Sequence, residues 1–142
     1  MKWRWTAILV ALASESCVIP VDMQGAEAIP TEVALSGLQD LLPRAAYVSC
    51  TEPRASFLQS DVLAWTVDEK GLEFRTRREE PFRLLWSASR GAELARVPLS
   101  YEVRVFMATP TNPRVTLFHF NWRDEAPARR AAELFEALRG DR

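Results

Sequence analysis

The chain has 142 residues, with 18 Lys and Arg against 19 Asp and Glu, one His and two Cys. At 48% hydrophobic and 26% charged it has one domain's length and an ordinary globular composition, which excludes wholesale disorder. The net charge of −1 supplies no basic footprint for nucleic acid, and two cysteines with one histidine cannot furnish a disulfide-dense scaffold or a Cys-rich zinc site.

The N-terminus has the grammar of an export signal. Lys2 and Arg4 precede an apolar run from Thr6 to Ala13, followed by the small polar stretch Ser14-Glu15-Ser16 and then Cys17. The apolar run is far shorter than the roughly 20 residues a membrane-spanning helix needs. Removing residues 1–16 takes away Lys2, Arg4 and Glu15 and leaves 16 basic against 18 acidic residues, so mild acidity survives. Ala11-Leu12-Ala13 is a small-x-small site that an ordinary signal peptidase would cut, releasing a chain that begins at Ser14.

After the signal, Val18 to Pro30 contains Pro20, Gly25 and Pro30 and few large apolar residues, so residues 17–30 read as a tether. Thr31, after Pro30, starts a short helix through residue 43, with Val33, Leu35, Leu38, Leu41 and Leu42 near helical spacing. Gly37 weakens it and Pro43 ends it. From residue 44 to 142 the pattern is a β-domain with a final helix. Ala46 to Cys50 is a strand, and Thr51 to Ser60 reads as a loop around Pro53. Asp61 to Asp68 and Leu72 to Arg77 form a hairpin through Glu69-Lys70-Gly71, and Phe82 to Trp86 follows after Pro81. Glu93 to Val97 is a short strand. Tyr101 to Ala108 alternates, with Tyr101, Val103, Val105 and Met107 on one face. A proline-stiffened turn, Thr109 to Pro113, leads to Val115–Trp122, apolar on both faces and therefore covered on both. The last helix has Asp124 at its N-cap and the stripe Ala131, Leu134, Phe135 and Leu138, closed by Gly140.

Two resemblances follow from these residues. The segment ending at Cys17 resembles a bacterial lipoprotein signal, with a short basic start, a short apolar run and small Ser16 before the cysteine. The resemblance implies that Cys17 is lipidated, becomes the new N-terminus and anchors the chain to a membrane; Val18 after it implies the outer membrane, on the periplasmic side. The run Leu63 to Trp86, the strands Tyr101–Met107 and Val115–Trp122, and the helix Asp124–Leu138 are similar in order to the pleckstrin-homology-like superfold. That resemblance implies an α+β, mostly antiparallel fold, with about seven strands in a partly open barrel capped by the C-terminal helix. The competing architecture is an antiparallel sheet with both helices on one face. Members of the superfold often bind phosphoinositides through a basic first hairpin loop, but Thr51–Ser60 holds only Arg54. A protein- or peptide-binding platform is the use that remains.

Candidate chemistry is sparse, and neither a cofactor nor a metal is expected. Arg75, Arg77, Arg78 and Arg83 cluster around the turn at Pro81 and form a candidate anion-binding patch, with Glu73, Glu79 and Glu80 among them to neutralise it. Thr109 and Asn112 stand on the rigid turn between two long strands, a candidate recognition loop. His119, mid-strand between phenylalanines, reads as a packed or half-exposed histidine. Two other functional classes are weighed against a lipid-anchored, non-enzymatic binding module. One is a secreted or periplasmic hydrolase using carboxylates such as Asp61, Asp68 or Glu102. The other is a soluble periplasmic domain with a Cys17–Cys50 disulfide.

Overall fold

The computed structural model describes residues 17–141, and the expected signal segment, 1–16, lies outside them. Among the described residues nine strands make two antiparallel sheets. In chain order they are β1 (Cys17–Ile19), β2 (Tyr47–Thr51), β3 (Arg54–Leu58), β4 (Ala64–Val67), β5 (Gly71–Arg75), β6 (Phe82–Leu85), β7 (Ser89–Val97), β8 (Ser100–Met107) and β9 (Val115–Trp122). The helices are α1 (Met23–Glu27), α2 (Thr31–Leu41) and α3 (Glu125–Ala137). The larger sheet has the order β1-β7-β8-β9-β2-β3 and the smaller one β4-β5-β6.

The core explains this layering. Val103 and Val105 of β8, Leu94 of β7 and Phe118 and Phe120 of β9 are fully buried on one face of the large sheet. Helix α3 packs there with Leu134 and Phe135, and the Phe135 ring stacks on Phe120 at 5.6 Å between centroids. Helix α2 lies beside α3 and meets the small sheet, where the Gln39 amide donates to Trp65 O and accepts from the Val67 N–H. The small sheet adds Phe74 and Phe82, which join Phe57 and Phe118 in an aromatic cluster. Trp86 and Trp122 are buried, and their indole N–H groups donate to Asp68 O and Leu41 O, so both serve the core.

The α+β class, the dominance of antiparallel strands and the C-terminal helix agree with the sequence. The barrel does not: the strands form two separate sheets and do not close. Both longer helices share one side of the large sheet. Its other side is open and polar, the usual arrangement for a half-buried antiparallel sheet.

Two segments differ from the expectation. Thr51–Ser60 is mostly strand: Glu52–Pro53 is a cis peptide in a tight turn, and β3 pairs along the whole of β2, from Thr51↔Arg54 to Tyr47↔Leu58. Residues 17–30 are part of the folded body. Strand β1 pairs with β7 at Cys17↔Arg96, Val18↔Ala95 and Ile19↔Leu94. Helix α1 is capped by Asp22, whose carboxylate accepts from Gly25 N, and it buries Ala26. Arg129 of α3 donates to Pro20 O at 3.0 Å, tying this segment to the C-terminal helix.

Candidate functional site

The open face is built by the register of the large sheet. Glu93 lies opposite Arg104, Arg104 opposite His119 and His119 opposite Ser49, while Ser49 faces Ser56. Because side chains alternate across a strand, this row collects one polar residue from each of five adjacent strands. The Arg104 guanidinium reaches Glu102 at 2.8 Å and Glu93 at 3.1 Å. His119 Nδ1 lies 2.7 Å from Glu102 Oε1. A carboxylate only accepts, so the ring donates from Nδ1. The hydrogen bond from His119 above all, aided by Arg104, overcomes the burial of Glu102 and lowers its carboxyl to about 2.

Next to this network is a shallow hollow of about 490 Å³ bounded by Tyr47, Ser49, Thr51, Arg54, Ser56 and His119. A second hollow of about 490 Å³ shares Thr51 and runs to Thr109 and Asn112. Thr51 Oγ1 donates to Thr116 O at 2.7 Å, where the β8–β9 ladder shifts register between Val105 and Phe106. Beyond that irregularity Phe106 is buried beneath Arg114, whose guanidinium carbon sits 3.9 Å from the ring centroid. The face is therefore a trough along β2, floored by β9, polar beside His119 and more apolar toward the β8–β9 turn, where Met107, Val115 and Leu117 line it.

Thr109 and Asn112 border that end of the trough, but their polar groups mainly hold the turn. Thr109 N donates to Asn112 O, Asn112 N donates to Thr109 Oγ1, and Asn112 Oδ1 accepts from Arg114 N. The four arginines of the Pro81 region have separate surroundings. Arg75 and Arg83 both pair with Glu73, at 3.2 and 2.8 Å. Arg78 lies over the Phe57 and Phe82 rings, and Arg77 edges a small hollow beside Phe57 and Asp61.

The three carboxylates considered for hydrolysis sit on separate elements and each has a local task. Asp61 accepts from Leu58 N, Asp68 accepts from Lys70 N and Gly71 N in the β4–β5 turn, and Glu102 belongs to the His119 network. No group of three His, Cys, Asp or Glu among the described residues is arranged to hold a metal ion.

The disulfide alternative is overturned. Cys17 on β1 and Cys50 on β2 are free thiols separated by strands β7, β8 and β9. Four inter-strand steps amount to roughly 19 Å, against a Cα separation of at most about 7 Å in a disulfide. Cys50 is buried, and burial pushes its thiol up to about 12, the condition of an inert core cysteine. Cys17 is exposed at the sheet edge.

Sequence reasoning missed Ser49 and Ser56 as residues that line one hollow with His119. The three converge only through β9–β2–β3 pairing, and no local pattern carries that register. Comparison with protein families, with curated proteins and with solved structures finds no match for this chain.

Proposed function

We propose that the chain is an exported, lipid-anchored envelope protein whose domain acts by binding, with the trough on the open sheet face as its contact surface. The observation that carries this reading is the position of Cys17. It follows the signal-like segment directly, lies at the free edge of the large sheet and exposes its thiol, so a lipid can be attached there without entering the core. No described helix is long and apolar enough to cross a membrane, so a covalent lipid would be the means of attachment.

The pleckstrin-homology-like resemblance enters at the level of use. An antiparallel sheet backed by a C-terminal helix leaves one face free for a partner. Here that face offers the Arg54 guanidinium, the Ser49 and Ser56 hydroxyls and the His119 ring to a hydrogen-bonding, acidic group of a protein or peptide.

Metabolic labelling with palmitate tests the anchor. Wild-type protein is expected to take up label and partition with membranes, and Cys17→Ala to lose both. Equal label in the two proteins would overturn the reading.

A further inference from the structure

We propose that the β7–β8 hairpin tip, Pro98-Leu99, enters the membrane interface beside the lipidated Cys17, so that the domain docks with a fixed orientation. This rests on the lipid-anchor reading and deepens it. Three observations carry it.

The first is register. Cys17 pairs with Arg96 and Arg96 with Tyr101, so the anchor and an exposed cation lie side by side in one row, which Tyr101, packed on the core, continues into β8. Only Val97 and Ser100 separate that row from the tip. Two residues of strand reach about 7 Å, comparable with the roughly 5–10 Å to which the apolar face of an interfacial helix is buried in a bilayer surface.

The second is the tip itself. Leu99 is 100% exposed, and its φ of 69° puts a non-glycine residue in the left-handed region. That conformation costs about 1–2 kcal/mol. Asn or Gly would make the turn more cheaply, and the leucine side chain recovers nothing by packing on the domain. Val18, 57% exposed, extends the apolar surface next to the anchor.

The third is the lack of a spacer. Because β1 begins at Cys17 and is already paired with β7, a lipid on this residue holds the edge of the sheet against the headgroups. Arg96 is exposed and suits anionic lipid. In this orientation the β8–β9 turn and the Thr109 end of the trough point away from the bilayer.

The test uses full-length protein purified from membranes and reconstituted in vesicles of phosphatidylethanolamine and phosphatidylglycerol. An environment-sensitive fluorophore is attached through Leu99→Cys or, at the opposite end, Thr111→Cys; Cys17 is occupied by lipid and Cys50 is buried. The label at 99 is expected to shift to the blue and to be quenched several-fold more by spin-labelled lipid than the label at 111. Lipid mass on Cys17 with equal, solvent-like emission at both positions would overturn the docking and leave the anchor standing. Absence of lipid mass on Cys17 would remove the anchor, and the docking with it.

Discussion

Glu102 is held between two donors, the His119 ring and the Arg104 guanidinium, and its carboxyl falls from 4.5 to about 2. A carboxyl lowered on folding contributes stability while it is ionised in both states, above 4.5. That contribution fades as the pH drops through the interval down to about 2. The drop corresponds to a ceiling of about 3 kcal/mol; sharing among His119, Arg104 and Glu93 keeps the net effect below it. Glu102→Gln is therefore expected to lower unfolding stability by about 1–2 kcal/mol at pH 7, with the deficit closing between pH 4.5 and 2. Denaturant melts of both proteins across that range check it, and a deficit independent of pH would show that packing, not charge, was lost. A second carboxylate does a quieter task. Glu136 of α3 is buried, accepts from the Ala92 N–H at 2.8 Å and pairs with Arg139. Gly91, with φ of 87°, makes room for that carboxylate at the β7 irregularity.

Helix α2 shows how an element's meaning changes once its neighbours are known. From sequence Gly37 is a defect, because glycine costs a helix interior up to about 1 kcal/mol relative to alanine. In the fold it is the point where α2 meets α3: a Cβ there would lie 2.6 Å from Leu134 Cδ1, and Leu134 is itself fully buried. Overpacking of this kind costs about 1–3 kcal/mol, which exceeds the propensity gain. Gly37→Ala is thus expected to lose about 1 kcal/mol net, whereas the same change at exposed Ser36 should be neutral or slightly favourable. Urea midpoints with unchanged m-values decide between them. The stripes of α2 and α3 and the alternation of β8 and β9 were legible because each reports a single face buried against one layer. Strand β3 was not. It is an edge strand whose only inward apolar residues are Ala55 and Phe57, and Pro53 with the surrounding polar residues mimics a loop. The trough was illegible for a related reason: Ser49, Ser56 and His119 meet across long-range pairings that leave no trace within any one segment.

At the scale of the whole molecule the decisive difference concerns where the domain begins. Pro20, Gly25 and Pro30 suggest a tether when only composition is read, yet prolines and glycine are equally at home between short packed elements. Ala26 is 1% exposed, Val21 and Ile29 pack against the core, and Pro20 O accepts from Arg129. Small side chains carry this docking, which is why hydrophobic periodicity did not announce it. A tether and a docked segment respond differently to one substitution. Ala26→Asp would force a carboxylate into the contact between α1 and α3, and an unpaired buried charge costs several kcal/mol unless the segment detaches. A tether would tolerate the change without a shift in Tm. The docked segment predicts a lower Tm, by about 10 °C if about 3 kcal/mol is lost cooperatively in a body of this size. If β1 and α1 open as a local unit instead, Tm moves little. Amide hydrogen exchange then rises sharply at Val18–Ile19 and along the newly exposed edge of β7, while β8 and β9 keep their protection. Unchanged Tm together with unchanged exchange at β1 and β7 would return residues 17–30 to the status of a spacer.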